Sequence, residues 1–289
     1  MAHPASETAL GPMTIIAVEQ YEPEAQRLVQ DELAYHFLPR GVQRIVRLAR
    51  WRPLRNLLFA FSEKTAYGIW GSTLCRKRCI DDTIRASLGA IDALVNLGAG
   101  FDTRAYRLPG LSTIPVFEVD SPENIAAKEA KLRRLYGGLP AAVRLVPIDF
   151  ERQDLAVALS SQGYRTDRTS FFIWEAVTQY LSEAAVRKTF AFLAQATPGS
   201  RLVFTYVRKD FIDGINLYGA APIYQRFRVK QPLWQFGMDP DRVAAFLSEY
   251  GWRETEQLGS AEWSARYIQP CGRMLPVSEL ERIVACVKR

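Results

Sequence analysis

Four short apolar runs of the sequence end in a glycine turn or in an acidic residue, and these endings have the clearest capacity for chemistry. The four endings are Gly98-Ala99-Gly100, Asp120, Asp149 and Glu175. Any one of the acids could simply cap a helix or occupy a turn. Open parallel sheets, however, bind ligands beyond the carboxyl ends of their strands. The repeated placement therefore predicts one ligand site along a single sheet edge.

The glycine turn and Asp120 together predict an adenosine site. Glycine lets the backbone turn sharply and lets a ligand lie against the main chain. Asp120 stands 20 residues after Gly100, where a carboxylate accepts hydrogen bonds from ribose hydroxyls. A dinucleotide site would have a third glycine where Thr103 stands, and S-adenosylmethionine, which lacks a pyrophosphate, does not need it. The pattern favours methyl transfer and leaves an NAD-dependent oxidoreductase as the alternative.

The elements around these residues predict a doubly wound α/β sheet, because apolar runs alternate with helical stretches. The predicted parallel strands are 91–97, 114–119, 143–147, 170–174 and 201–207. The main helices between them are 121–136 and 183–196. The last third predicts a helix at about 240–250, strands at 252–256 and 265–269, and a final helix at 278–288.

The first ninety residues predict helices without strands. Apolar residues recur with helical spacing in four stretches. These stretches are 21–37, 42–49, a run from Pro53 and about 72–88. No linker divides the chain into separate domains. We therefore expect a helical cover over residues 1–90 and a core over residues 91–289, with a lid inserted at about 207–238.

Composition narrows the classes of partner. The chain has 289 residues, of which 48% are hydrophobic and 24% charged, as in ordinary globular proteins. A net charge of +6, with basic residues dispersed among acids, predicts a solvated surface that mildly prefers anionic substrates and no nucleic-acid partner. Four scattered cysteines and two histidines predict reduced thiols and no metal. Without a signal-like beginning or a long apolar run, we expect a cytoplasmic protein with no membrane partner.

Four blocks of the sequence resemble the leucine carboxyl methyltransferase family and its small-molecule O-methyltransferase relatives. In chain order the blocks are CRKRCIDD (75–82), LVNLGAGFDTRAYRL (94–108), FEVDSPENIAAKEAKL (117–132) and IWEAVTQYLSEAAV (173–186). The resemblance extends over roughly residues 65–207 and is looser in the C-terminal third. It implies a class I methyltransferase fold, with a seven-stranded sheet whose last strand is antiparallel, a helical N-terminal cover and S-adenosylmethionine as the cofactor.

The resemblance also implies a role for each residue at the strand ends. Gly98 and Gly100 would pass under the methionine part of the cofactor, and Asp120 would hold the ribose. Asp149 would face the adenine, and Glu175 would lie near the methionyl amine. The full expected cofactor set is Arg76, Arg78, Asn96, Gly98, Ala99, Gly100, Asp120, Ser121, Asp149, Phe150 and Glu175.

The resemblance leaves open which arginine pairs with the cofactor carboxylate. Arg76 and Arg78 both lie in the first block, and Arg78 is preferred. From the residues alone, both would be solvated side chains on a helix face.

The expected acceptor is a carboxylate or hydroxyl oxygen of a small molecule, for which a secondary metabolite is one expectation. The sequence names no pathway. An anionic oxygen is attracted to a sulfonium, and a carboxylate with a pKa near ~4 needs no general base. Candidates for a base are few, namely Tyr206 and His36. A protein C-terminal carboxylate is the alternative acceptor, and the sequence leaves both a monomer and a homodimer open.

The predicted substrate contacts are aromatic and basic side chains that follow the fourth and fifth strands. They are Tyr180, Tyr218, Tyr224, Arg226 and Trp234. Aromatic walls with a few arginines suit a flat or apolar molecule that bears an anion. A lid whose aromatic side chains pack inward explains the same residues equally well.

Overall fold

The structure is a computed structural model that describes residues 10–289. Its strands are β1 (Ala93–Leu97), β2 (Val116–Asp120), β3 (Val143–Pro147), β4 (Ser170–Trp174), β5 (Arg201–Val207), β6 (Trp252–Leu258) and β7 (Glu281–Lys288). They form one sheet in the order β3-β2-β1-β4-β5-β7-β6. The first five strands are parallel, and β7 is antiparallel to both β5 and β6. This arrangement confirms the predicted fold, and the five parallel strands begin and end within two residues of their predicted bounds.

Helices lie before and between the strands. Those before the sheet are α1 (Leu10–Glu19), α2 (Leu33–Phe37), α3 (Arg40–Leu48), α4 (Arg52–Thr65) and α5 (Ile69–Arg85). Those within the sheet region are α6 (Arg104–Arg107), α7 (Pro122–Tyr136), α8 (Leu155–Ser161), α9 (Glu183–Leu193), α10 (Lys209–Ile212), α11 (Ala221–Tyr224), α12 (Val243–Glu249) and α13 (Ser260–Trp263). A π-helical stretch, Gln225–Lys230, continues α11.

The predicted helix at 21–37 is largely wrong. Only a 3-10 turn, Glu24–Gln26, and the short α2 form there. Side chains from the end of α1 replace the helical hydrogen bonds of this segment. Glu19 accepts from the backbone N–H of Leu28 (2.8 Å), and the amide of Gln20 donates to the carbonyl of Val29 (3.0 Å). The helices predicted at 42–49, from Pro53 and at 72–88 are confirmed as α3, α4 and α5.

The predicted final helix at 278–288 is wrong, because this segment forms β7. The predicted strand at 265–269 is also wrong, since Ser264–Ile268 is a π-helical turn. Strand β7 lies between β5 and β6, and both of its faces are covered. Ile283 packs into the apolar core on one face of the sheet and Val284 into the core on the other. A strand buried on both faces has a continuous apolar run, whose spacing alone does not distinguish it from a helix.

The helices before the sheet share an apolar core with one face of it. Ile16 of α1 and Leu74 and Ile84 of α5 lie in the same buried cluster as Leu94 of β1 and Phe171 of β4. A division of the chain near residue 90 stays a prediction.

A fully buried ion pair joins β2 to α7. The ammonium of Lys128 donates to Glu118 (2.7 Å), and the hydroxyl of Tyr106 donates to the same carboxylate. A single buried charge is costly, so each member of the pair requires the other. The pair fixes α7 beside β2, at whose end Asp120 lies.

We expect Lys128→Met to lower the free energy of unfolding by about 3–5 kcal/mol, because it leaves Glu118 buried without a cation. Urea denaturation measures the change. Arg133→Met, on the exposed side of α7 with Glu129 as its partner, is the matched control and should change the value by less than about 1 kcal/mol. Equal losses in the two variants would contradict a special role for the buried pair.

Candidate functional site

The parallel strands bring the predicted residues to one edge of the sheet. Strand β1 pairs with β2 on one side and with β4 on the other, so their carboxyl ends are neighbours. The glycine turn follows β1, Asp120 ends β2 and Glu175 follows β4. Asp149 lies beyond β3, the next strand after β2.

The glycine turn adopts a backbone that favours glycine and is tied to β2. Gly98 and Gly100 have φ of 71° and 43°. The N–H groups of Gly98 and Ala99 both donate to the carbonyl of Val119, at 2.7 and 2.9 Å. A Cβ at Gly98 would lie 2.2 Å from the side chain of Val177, whereas a Cβ at Gly100 would meet nothing within 4 Å. A ligand therefore has open space above Gly100.

The buried carboxylate of Asp120 connects the glycine turn to the start of α7. It accepts hydrogen bonds from the N–H of Gly100 (2.6 Å), the N–H of Ser121 (2.7 Å) and the side-chain amide of Asn124 (2.7 Å). A carboxylate offers about four acceptor positions. One position is thus free for a ligand hydroxyl, and a second ligand hydroxyl would have to displace a protein donor.

The other predicted cofactor residues flank this point. The amide of Asn96 donates to Asp102 (3.2 Å), and the hydroxyl of Ser121 accepts from the backbone of α7 as its N-cap. Asp149 is half-exposed, accepts from the N–H of Glu151 (3.0 Å) and is followed by the half-buried ring of Phe150. These residues lie along the same edge, and their contacts to a cofactor stay predictions.

Glu175 is surrounded by three cations. Its buried carboxylate accepts from Arg76 Nε (2.8 Å), Lys77 Nζ (3.0 Å) and Arg104 Nη1 (2.7 Å). Burial alone would raise the pKa of Glu175, but Lys77, Arg104 and Arg76 outweigh it and hold the pKa well below its usual range. Glu175 is therefore ionised at neutral pH without access to bulk water.

These contacts are part of a larger cluster, which we call the buried ion network. Its members are Asp31, Arg76, Lys77, Asp81, Asp102, Arg104, Arg107, Glu175 and Glu281. Arg104 lies at its centre and pairs with Asp81 (2.6 Å) as well as with Asp102 and Glu175. The network connects α5, α6, the end of β4 and the start of β7, which adjoin the strand-end site.

Arg76 and Arg78 lie in different surroundings, and which of them contacts a cofactor carboxylate stays a prediction. Arg76 bonds to Glu175 and to Glu281. Arg78 lies on another side of α5, with 42% of its side chain exposed, and pairs with Asp82 at 2.9 Å. Residues two apart on a helix do not share a face.

Sequence reasoning missed most of the buried ion network. Lys77 and Asp81 lie on α5, and Asp102, Arg104 and Arg107 follow the glycine turn. The sequence carries a signal for them, because both groups fall inside blocks that resemble the family. Their charge alone predicts solvent exposure, so only the match to the blocks could have identified them.

The two candidate bases lie in opposite surroundings, and a catalytic role for either stays a prediction. Tyr206 is fully buried, its hydroxyl donates to Gln257, and burial raises its pKa far above the usual range. His36 is exposed on α2, with its ring edge-on to Tyr35 at 5.4 Å. A general base must reach the proton that it abstracts, and the structure places one side chain inside the core and the other at the surface.

Three of the predicted substrate residues make ring–ring contacts within one aromatic cluster. Trp234 stacks on Phe227, with ring centroids 5.2 Å apart, and meets Tyr180 edge-on at 6.2 Å. Tyr224 meets Phe211 of the same cluster edge-on at 5.6 Å. The inward packing that the sequence left as an alternative therefore describes Trp234, which is buried.

The other two predicted substrate residues lie at the margin of the same cluster. The hydroxyl of Tyr218 donates to Asp210, and the guanidinium of Arg208 lies over its ring at 5.1 Å. Arg226 is exposed, and its guanidinium lies 4.9 Å from the ring centroid of Phe227. Contacts of either residue with a substrate stay predictions.

Two kinds of site are not found in residues 10–289. No group of three or more His, Cys, Asp or Glu side chains in this range is arranged to hold a metal ion. None of the helices described there combines the length and apolar character needed to span a bilayer.

Comparison with known sequences gives a family match. The sequence profile described as "Leucine carboxyl methyltransferase" matches residues 9–194. A "Putative S-adenosyl-L-methionine-dependent methyltransferase" of Mycobacterium avium (strain 104) is 38% identical over 194 residues, which are 63% of this chain and 63% of that protein. A protein of the same name from Mycolicibacterium gilvum (strain PYR-GCK) is 34% identical over 215 residues, 70% of this chain and 65% of the relative. These matches span less than two thirds of the relatives' lengths.

Solved structures give a fold match. A "putative methyltransferase" from Thermobifida fusca YX superposes with a TM-score of 0.59 at 16% identity, over 83% of this chain and 90% of that one. A DUF574 family protein from Streptomyces avermitilis MA-4680 superposes with a TM-score of 0.55 at 12% identity, over 83% and 92% of the two chains. At these identities the likeness concerns the fold alone.

The low pKa of Glu175 predicts how stability depends on pH. As pH falls, the unfolded chain protonates this carboxylate first, so the stabilisation is complete above about pH 5 and declines as pH falls towards the lower folded pKa. Glu175→Gln should lower the free energy of unfolding at pH 7 by about 3 kcal/mol, because three cations lose a buried partner. Below pH ~4, the free energy of unfolding of the variant should also depend less steeply on pH than that of the wild type, by up to about 1.4 kcal/mol per pH unit.

Urea denaturation at several pH values measures both effects. Glu129→Gln, which removes a partly exposed carboxylate from α7, is the control. If the free energy of unfolding of Glu175→Gln depended on pH as steeply as that of the wild type, Glu175 would not hold its charge as described.

Proposed function

Because the chain belongs to the leucine carboxyl methyltransferase family, we propose that it binds S-adenosylmethionine and transfers the methyl group to an oxygen of a small-molecule acceptor. The observation that carries this proposal is the hydrogen bond from Gly100 to Asp120 at the sheet edge, beside the ionised Glu175. The names of the mycobacterial relatives support the same cofactor.

The strand-end residues fit the adenosine part of the cofactor. The space above Gly100 is open, and Asp120 retains an acceptor position for a ribose hydroxyl. Asp149 and Phe150 lie beyond the neighbouring strand, where a carboxylate can accept from an amino group and a ring can contact a base. We assign the ribose to Asp120 and the adenine to the Asp149–Phe150 pair.

Arg76 and Glu175 fit the amino-acid part. A guanidinium has five N–H donors, and Arg76 uses one on Glu175 and one on Glu281. The remaining donors can bind a carboxylate of the cofactor. Glu175 accepts three hydrogen bonds, and its remaining acceptor position suits an ammonium group.

When bound, the cofactor supplies a methyl group on a positively charged sulfur, which an oxygen nucleophile can attack. The chain's own contribution is to orient the reactants and to keep fixed charges in place. Tyr206 and His36 are poorly placed to take a proton from an acceptor. We therefore propose an acceptor oxygen that is already anionic, with a carboxylate preferred to an alcohol.

The aromatic cluster of Tyr180, Phe211 and Trp234 supports a small acceptor with apolar character. Tyr180 follows Glu175 by five residues, and the backbone carbonyl of Gln179 accepts from the N–H of Gln235 in the lid segment (2.6 Å). The cluster therefore lies beside the residues that follow β4. We propose that an acceptor binds between this cluster and the sheet edge.

Asp120→Ala should weaken the binding of S-adenosylhomocysteine by at least about tenfold, because hydrogen bonds to a charged group contribute about 1.5–3 kcal/mol. Isothermal titration calorimetry measures the affinity, and circular dichroism checks the fold. Glu129→Ala, which removes a partly exposed carboxylate on α7, should bind like the wild type. Unchanged affinity in Asp120→Ala, or binding of NAD instead, would reject the proposed site.

An acceptor screen with methyl-labelled S-adenosylmethionine tests the reaction. We expect label in small carboxylic acids, in a form that alkali releases as methanol, because methyl esters hydrolyse and methyl ethers do not. Alkali-stable label would reject a carboxylate acceptor. Label found only on the C-terminus of added proteins would reject a small-molecule acceptor.

A further inference from the structure

The whole formal charge excess of the chain lies in one segment. Residues 33–62 contain six arginines, no lysine and no acidic residue. The chain has 37 basic and 31 acidic residues, so the rest of it holds 31 of each. The expectation that basic residues are dispersed among acids is therefore wrong for this segment.

Five of these six arginines are exposed. They are Arg40, Arg44, Arg47, Arg50 and Arg52. Arg55 is buried and pairs with Glu22 at 3.0 Å. Within residues 10–289, no carboxylate forms an ion pair with any of the exposed five, and Arg47 donates to the hydroxyl of Tyr35. The segment thus presents uncompensated positive charge to the solvent.

Large apolar side chains are exposed in the same segment. Leu48 is 60% exposed, Trp51 68%, Leu57 64% and Phe61 71%. Leu48 in α3 and Leu57 in α4 each lie two positions from a buried residue, Val46 and Arg55, and so on another side of the helix. Trp51 lies in the connection between the two helices. Clustered exposed apolar side chains indicate a surface that meets a partner.

We propose that α3, α4 and the connection between them form a basic–apolar surface, residues 40–65, that binds the surface of anionic lipid bilayers. Segments that lie in a membrane interface combine arginines, which attract anionic headgroups, with Trp, Phe and Leu side chains that enter the boundary of the acyl chains. Tryptophan in particular favours the headgroup level. This binding is peripheral, and it replaces the expectation of no membrane partner.

Nucleic acid fits the same surface less well. Arginines would contact phosphates, and Trp51 or Phe61 could stack on bases. The exposed aliphatic side chains Leu48 and Leu57 would gain nothing from such a partner, whereas a lipid interface buries them.

Vesicle flotation with the full chain tests the proposal. We expect the protein to float with vesicles of phosphatidylcholine and phosphatidylglycerol but not with phosphatidylcholine alone, and to dissociate as salt rises. No flotation with the anionic vesicles at low salt would overturn the proposal. Equal flotation with both vesicle types would overturn the role of the arginines.

Two double variants separate the charge from the apolar contact. Arg44→Gln/Arg50→Gln and Trp51→Ser/Phe61→Ser should each weaken vesicle binding by about tenfold or more. The control Arg152→Gln/Val157→Ser removes an exposed arginine and an exposed valine elsewhere and should bind like the wild type. Tighter binding to duplex DNA than to the vesicles, with Trp51→Ser/Phe61→Ser unaffected, would assign the surface to nucleic acid instead.

Trp51 provides a direct spectroscopic readout. The other five tryptophans are buried, so Trp51 alone among the six is exposed. We expect anionic vesicles to shift its emission to shorter wavelength and to protect it from acrylamide. Flotation without either change would contradict the insertion of Trp51 into the interface.

Discussion

Bringing a charge into a protein interior costs several kcal/mol unless a partner of opposite charge and good geometry is present. The buried ion network provides such partners for four cations and five carboxylates. Arg104 and Glu175 are almost completely enclosed and bond to each other at 2.7 Å. Each therefore fixes the position of the other. Their further partners lie on α5 and after β1, and Arg76 of α5 joins Glu175 to Glu281 at the start of β7. The network therefore sets how the helices before the sheet meet the ends of its strands.

The proposed cofactor site depends on that constraint. Glu175 keeps its charge through its three cations rather than through water, and Arg76 is held where it retains donors for a ligand. Asp120 performs a parallel task on the other side of β1, since it holds the glycine turn while retaining one acceptor position. Both carboxylates thus fix neighbouring parts of the protein and retain an acceptor position for a ligand. Orientation by such pre-formed groups suits the proposed reaction, whose acceptor oxygen is already anionic.

The sequence predicted correctly the elements that depend on neighbouring residues of the chain. Five apolar runs form parallel strands, and Gly100 and Asp120, which their spacing identified, are joined by a hydrogen bond. The sequence did not predict features that depend on contacts between residues far apart in the chain. Strand β7 looks helical from its sequence, and only its pairing with β5 and β6 between two apolar cores makes it a strand. Bonded members of the buried ion network lie up to 205 positions apart, as Arg76 and Glu281 do. The positive charge of residues 33–62 is evident from the sequence, but the proposal of a membrane-binding surface also required the exposure of Trp51 and Phe61, which only the structure gives.

The measurement that tests the central claim most directly is a crystal structure of the chain with S-adenosylhomocysteine. The account predicts adenosine across the sheet edge, with a ribose hydroxyl on Asp120 and the amino-acid tail between Arg76 and Glu175. Density for the ligand at another position, with the space above Gly100 empty and the contacts of Asp120 unchanged, would contradict it.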